Sequence, residues 1–347
     1  MRIRQAEDTD QGAWDAFVGS HPEGLAYHQY AWKKAVQQAY GFQGVYLMAE
    51  RGGEVCGVLP LIHMKSPLFA GRMVSLPYCD VGGCLARDEA TVEVLLRVAK
   101  VLATEGAAKG LELRWAGLRN AESGSGGAAG RKVRMTLDLP GDSGTLLAGL
   151  KSKLRSQVKK PERDGLHARL GGTELIGDFY GVFAENMRAL GSPVHSKRWI
   201  VAVVEAFAGS ARVGVVYTPE GIPAAGGIIL LHPRTVSIPW ASSLRSCNHL
   251  NPNMLLYWTF LAFAADGGFA RFDFGRSTPG EGTYKFKKQW GAKPSPLCWQ
   301  DLTAPESTSA IGSLTATGRR IAEVVWSRLP LRVTTLLGPP LRRKISL

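Results

Sequence analysis

RFDFGRSTPGEGTYKFKKQWGAKPSPLCW, residues 271–299, holds a strand, a glycine-rich loop and a basic helix in direct succession. Phe272 and Phe274 alternate with polar neighbours, which is the period of a strand, and Gly275 ends that run. Pro279, Gly280 and Gly282 keep the next segment out of regular structure. Residues 284–290 read as a short helix stopped by Gly291. Helical spacing puts Phe286 and Trp290 on one face and Tyr284, Lys287 and Lys288 on another. A helix start that carries lysines suits an anionic ligand or a developing oxyanion. The plain alternative is an edge strand followed by a solvated basic helix.

Working outward, 347 residues leave room for two domains. Nine Trp and 41 Gly point to a loop-rich α/β or α+β protein rather than a helical bundle. The net charge of +13 favours polyanionic partners, such as nucleic acid, nucleotide diphosphates or an anionic membrane face, without choosing among them. Cys56, Cys79, Cys84, Cys247 and Cys298 are odd in number and never paired as CxxC, which argues against a disulfide framework or structural zinc. The first residues, MRIRQAEDTD, lack the apolar core of a secretory signal. No apolar run reaches the roughly 18 residues of a membrane span. These features imply a cytoplasmic protein, with peripheral contact at the inner membrane as the remaining membrane option.

In chain order the sequence predicts helices at 10–18 and 26–40, a hairpin turning at 51–54, a strand at 73–77, a helix at 89–107 and a strand at 111–116. The Gly/Ser/Ala-rich stretch 120–130 reads as a flexible loop before a strand at 133–139. A basic helix at 146–160, ended by Pro161, opens the second half. Helices at 176–190 and 197–208, a hairpin turning at 218–221, a strand at 235–241, an apolar helix at 253–265 and the strand at 271–275 follow. The two halves repeat one order of hairpin, strand, helix, strand. Gly52 matches Glu220 (offset 168), Val74 matches Ser237 (163) and Leu111 matches Arg271 (160). So steady an offset implies duplication of one α/β unit. The expected division is 1–140, 141–305 and a basic tail, 306–347. In the tail, Ile321, Val324, Val325 and Leu329 recur at helical spacing. Over 313–347 seven Lys or Arg face one acid, Glu323, so the tail either packs back on a domain or meets anionic lipid.

With NPNMLLYW (251–258), FDFGRST (272–278) and GTYKFKKQWGA (282–292) in view, the chain resembles the FemAB-like family. ENMRALGSPVHS (185–196) and SLPYCDVGG (75–83) fit the branch associated with exosortase/PEP-CTERM and exopolysaccharide systems. The likeness spans nearly the whole chain. It implies two tandem GNAT-like domains with mixed, mainly antiparallel sheets flanked by helices, and a helical tail. It also implies acyl transfer to an amine, classically from aminoacyl-tRNA to a peptidoglycan precursor. In the family a Phe-Lys pair near the end of the second domain serves catalysis, and here that pair is Phe286-Lys287. A lysine on an early helix grips precursor phosphate, for which Lys33 or Lys34 stands nearest. Asp80 matches an early acidic residue of the family. The long helical arm of some members is missing here. The branch also leaves open the donor, aminoacyl-tRNA or acyl-CoA, and the amine-bearing envelope or polysaccharide precursor that accepts. No cofactor beyond the donor is implied.

Acyl transfer needs a positioned amine and stabilisation of a tetrahedral oxyanion. Lys287 is the candidate for that charge, with Phe286 packed beneath it and Asp80 as acceptor of the amine proton. Arg276, past the strand tip, could clamp a carboxylate or phosphate. Tyr284, on the face of Lys287, and Tyr257, on the apolar helix, are the candidate aromatic contacts, although Tyr257 also suits a core. His195 is a lone loop histidine and a weaker candidate base. The first alternative is an acyl-CoA-dependent GNAT enzyme. Its pyrophosphate loop would fall at 242–253, and SLRSCNHLNPN there has no glycine. The second is a non-catalytic basic scaffold that binds nucleic acid or membrane.

Overall fold

A computed structural model describes residues 1–66, 69–106, 108–117, 132–302 and 316–346. The first half holds β1 (Arg2–Gln5), α1 (Gln11–Ser20), α2 (Tyr30–Tyr40), β2 (Gln43–Arg51), β3 (Glu54–Ser66), β4 (Phe69–Val74), the short β5 (Leu85–Ala86), α3 (Glu89–Glu105) and β6 (Leu111–Ala116). β7 (Val133–Asp138) follows, and the second half holds α4 (Ser143–Gly149), α5 (Ser152–Arg163), β8 (His167–Gly171), α6 (Ile176–Ala189), α7 (Lys197–Ala206), β9 (Ala211–Tyr217), β10 (Pro223–His232), β11 (Thr235–Ser243), α8 (Pro252–Asp266), β12 (Arg271–Ser277), α9 (Gly282–Gln289) and β13 (Lys293–Asp301). Two tail helices follow, α10 (Ala316–Arg328) and α11 (Leu331–Arg343).

The duplication is visible in the pairing. β1, β2, β3 and β4 run antiparallel in turn, and β4 then pairs parallel with β6. β8, β9, β10 and β11 do the same, and β11 pairs parallel with β12. The first hairpin turns on Gly52 and Gly53 at φ 61° and 86°, a left-handed pair that residues with a Cβ adopt at a cost. The equivalent turn has Gly221 at φ 80°.

The two units then exchange strands. β7 precedes the second unit in sequence and pairs with its β12, at Phe272 opposite Leu137. β13 closes the second unit in sequence but pairs with β6 of the first, at Trp299 opposite Arg114. β13 and β7 also pair with each other, which joins everything into one sheet ordered β1-β2-β3-β4-β6-β13-β7-β12-β11-β10-β9-β8 among the described residues. The sheet therefore runs across the expected junction at 140/141. The junction at 305/306 and the loop expected at 120–130 lie outside the described residues.

Three apolar clusters hold the layers. One runs through both halves, with Trp14, Trp32, Tyr40 and Tyr46 meeting Trp199, Phe207 and Trp240. A second packs α3 on the outer face of the first unit, and a third packs α4, α5 and α8 on the outer face of the second. Side-chain and glycine caps delimit the helices. Asp88 accepts from Thr91 N at 2.8 Å to start α3, and Ser196 accepts from Trp199 N at 3.0 Å to start α7. Gly41 at φ 69° ends α2.

Several local expectations are corrected. The helix predicted at 26–40 is a 3-10 turn, Ala26–His28, and then α2, because Gln29 is extended and Tyr30 N bonds the Asp15 carboxylate at 2.7 Å. The basic helix at 146–160 is two helices. Leu150 and Lys151 are extended between them, and the Arg155 guanidinium takes the carbonyls of Ala148 and Leu150 that the break leaves over. Pro161 lies inside α5 rather than ending it. β1, β8 and β13 were not predicted, and β13 carries Pro294 and Pro296, residues that argue against a strand in any local reading.

Candidate active site

The bulge in β12 builds the site. Register against β7 shifts between Asp273 and Arg276, so the intervening carbonyls leave the ladder. Gly275 occupies the bulge at φ 70°, and a Cβ there would meet Asp80 Oδ2 at 3.2 Å. Lys287, on α9, reaches back to this point. Its Nζ donates to Arg276 O at 2.8 Å and Gly275 O at 3.3 Å. An ammonium has three hydrogens, and the third finds no acceptor among the described residues. The side chain is 8% exposed. Burial pushes Lys287 down from its ordinary 10.5 to about 8, against the pull of Asp80 and Asp273, while Arg276 adds to the lowering.

Asp80 brings the first unit to the same place. Its Oδ2 accepts from Arg276 N at 2.9 Å, and its Oδ1 lies 3.5 Å from Arg276 Nε. Its backbone carbonyl accepts from Trp299 Nε1 at 3.0 Å. The Trp299 ring lies 5.0 Å from the Arg276 guanidinium and 4.9 Å from that of Arg114. Burial lowers the Arg276 pKa, with Asp80 opposing. Asp273 is buried against Arg134 Nε at 2.9 Å and accepts from Gly275 N at 2.9 Å, which holds the bulge from behind.

The loop that carries Asp80 is strained. Leu76 and Tyr78 have φ 62° and 68°, positions that non-glycine residues rarely occupy. Long-range bonds hold it there. The fully buried Arg114 donates to Cys79 O at 2.6 Å, and Trp32 Nε1 donates to Pro77 O at 3.1 Å. The tail completes the support: Tyr78 N donates to Ser346 O at 2.6 Å, and Arg114 donates to Ser346 O and Oγ at 3.0 and 2.9 Å.

Lys287, Asp80 and Arg276 thus come together. Phe286 lies edge-on to Tyr257, 4.9 Å between ring centres, and Tyr257 stacks on Phe274 at 5.8 Å. This aromatic wall belongs to the core of the second unit, and Tyr284 packs against it. Lys33 and Lys34 are placed elsewhere. Lys33 is buried, donating to the Tyr30 hydroxyl and to Asp8 at 3.2 Å. Exposed Lys34 donates to Gln11. Neither shares a partner with Lys287. His195 is buried between Tyr40 OH, 2.8 Å from its Nδ1, and Arg342 Nε, 3.1 Å from its Nε2. Arg342 can only donate, so Nε2 accepts and Nδ1 carries the proton. That leaves no lone pair for base catalysis. A shallow cavity at the β8 edge, lined by Glu174, Arg212 and Phe263, holds none of these residues.

Arg114 and Trp299 were not found from sequence. Arg114 lies in a strand-like run and Trp299 in a proline-broken one, so neither carries a local signal.

The unfolded lysine keeps its proton to about 10.5, whereas folded Lys287 releases it near 8. Between those values the unfolded chain binds more protons, so this group's contribution to stability rises with pH across that window. Lys287→Met removes the rise. The melting temperature of the variant minus that of the native protein is expected to become more negative from about pH 7 to about pH 9.5. A difference that stays constant would mean that Lys287 is not titrating there.

Residues 149–288 match the family model for an acetyltransferase (GNAT) domain. No curated protein matches the sequence. Among solved structures, FemX has 16% identity, covers 88% of this chain and 98% of its own, and superposes with a TM-score of 0.69. L-PGS from Bacillus licheniformis has 13% identity, 96% and 98% coverage and a TM-score of 0.55. A tandem GNAT protein from the clavulanic acid biosynthesis pathway, solved without AcCoA, has 12% identity, 88% and 99% coverage and a TM-score of 0.53. The mixed sheet of paired units is thus a tandem GNAT-like fold, and the chain carries a GNAT-type acyltransferase domain over residues 149–288.

Proposed function

We propose that this protein is a FemAB-like N-acyltransferase that moves an aminoacyl or acyl group from a carrier to an amine on a cell-envelope or exopolysaccharide precursor. The observation that carries this reading is the buried Lys287 ammonium, held on two bulge carbonyls with one hydrogen left over, beside Asp80 and Arg276 from opposite units. The amine attacks the carried carbonyl carbon, the carbonyl π pair moves onto oxygen, and the third N–H of Lys287 meets that oxyanion. Collapse expels the carrier's oxygen or sulfur. The Asp80 carboxylate takes the proton that the attacking amine sheds. Arg276, freed on its open side, binds an anionic group of donor or acceptor. On this reading the chemistry sits where Asp80 of the first repeat meets Arg276 of the second.

The exosortase/PEP-CTERM branch enters through ENMRALGSPVHS and SLPYCDVGG, and with it a cytoplasmic site of action at the inner face of the membrane. Among the described residues no helix is long and apolar enough to cross a membrane. Lys33 and Lys34 keep no part in gripping the precursor here, because their amines are engaged away from the bulge. An acyl-CoA donor is the second reading, favoured by the GNAT match over 149–288. Labelled aminoacyl-tRNA and labelled acyl-CoA, each offered with an amine-bearing envelope precursor, separate the two. Amide product from a carried acyl group is expected with one of them. Absence of product with both, in protein that is folded, would overturn the enzymatic reading in favour of a basic scaffold.

A further inference from the structure

The two tail helices have opposite faces of different character. Inward, Thr334 and Gly338 of α11 are buried, and a Cβ at Gly338 would meet Val194 N at 3.0 Å. Arg342, one turn on, bonds His195, and Arg188 on α6 donates to Ser327 O of α10 at 3.3 Å. Outward, Ile321, Val324 and Val325 of α10 and Leu336, Leu337 and Leu341 of α11 are exposed, with Leu336 at 73%. These six make up over half of the exposed large apolar side chains among the described residues, on under a tenth of the chain's length. Soluble proteins seldom expose aliphatics in such density without a partner. Arg320, Arg328, Arg332 and Lys344 are exposed on the same segment.

The chemistry of this face selects its partner. Aliphatic side chains at helical spacing, with cations on the same segment, suit an acyl-chain boundary beneath anionic headgroups. A nucleic acid would match the arginines but offer nothing to the leucines, since single strands are bound by stacking on aromatics. A protein partner would have to supply both an apolar groove and a run of acids. An anionic bilayer supplies both features in one surface.

We propose that the outer face of α10 and α11 docks this protein on an anionic lipid bilayer. The proposal rests on the reading above and deepens it, because it names the surface that brings the site to an envelope acceptor. The last turn of α11 leads from this face into the site. Ile345 is exposed, while its neighbour Ser346 accepts from Tyr78 and Arg114, which hold the Asp80 loop. The segment that follows the docked face therefore ends against the loop that holds Asp80.

Sedimentation with vesicles tests it, using the full chain. Vesicles of phosphatidylcholine containing phosphatidylglycerol are expected to bind the protein at least about tenfold better than pure phosphatidylcholine. The double variant Leu336→Glu/Leu337→Glu changes side chains that lie outside the core. It is expected to lose at least about tenfold of that binding while keeping the native melting temperature and acyl transfer to a soluble amine. Equal binding to neutral and anionic vesicles, or unchanged binding by the double variant, would overturn the proposal. So would tRNA binding that disappears in the same variant, which would give the face to RNA. Vesicle binding needs no acyl transfer. Failure of the docking surface and failure of the enzymatic reading are thus scored in separate assays.

Discussion

Lys287→Ala is expected to lower turnover by about 10²–10³ with little change in melting temperature. The loss in rate follows from geometry. Nζ sits 2.8 Å from Arg276 O and 3.3 Å from Gly275 O, which fixes two hydrogens and directs the third. A donor held this way needs no reorganisation when charge develops, and its low-dielectric surroundings strengthen the contact. The small change in stability follows from two opposed effects. Removing the amine strands two carbonyls, at about 1–3 kcal/mol for a buried group left unsatisfied. It also removes a buried cation whose desolvation already lowers its pKa to about 8. Single-turnover kinetics on the active donor, with a thermal melt of the same sample, check both parts. Turnover within about threefold of native would remove Lys287 from the chemistry. A collapse in melting temperature would make it a structural clamp for the bulge.

Trp199→Ala is expected to cost about 3–5 kcal/mol of stability, the range for emptying a buried indole site. Trp199 is fully buried where the two units meet. Its ring lies 5.3 Å from Trp32 at 89°, 5.4 Å from Tyr40 and 5.3 Å from Tyr78. These neighbours come from the first unit, so the cavity would open between the units and under the strained Tyr78 loop. Activity should therefore fall along with stability. Trp199→Phe separates packing from polarity. Among the described residues the indole N–H has no partner, so phenylalanine gives up area but no hydrogen bond and should recover most of the loss. Urea melts of the three proteins decide it. A Trp199→Ala cost below about 1 kcal/mol would mean that the shared cluster does not hold the units together.

What the sequence determined by itself is whatever is written in local order. Turn glycines set both hairpins, because a left-handed backbone excludes most other residues wherever it occurs. Apolar periods of two and of 3.6 set the strands and the long helices, and their recurrence at offsets of 160–168 residues exposed the duplication. Lys287 was legible for the same reason, since its place on a short helix after a glycine loop is a local fact.

What only the tertiary structure decided is pairing between distant residues. β13 is a strand because β6 and β7 present free edges to it, which outweighs its two prolines. The exchange of β7 and β13 between units depends on which edges are open after folding, and no period records that. Asp80 and Arg276 are 196 residues apart, and Trp299 and Asp80 219. Arg114 takes its meaning from a loop in its own unit and from Ser346, 232 residues further on. Lys33 shows the converse: its helix was legible, but its partners were not, and the structure sets the buried amine on the Tyr30 hydroxyl and the exposed Asp8 carboxylate. Charge and hydrogen-bonding capacity are properties of a side chain, whereas the group that satisfies them is a property of the fold.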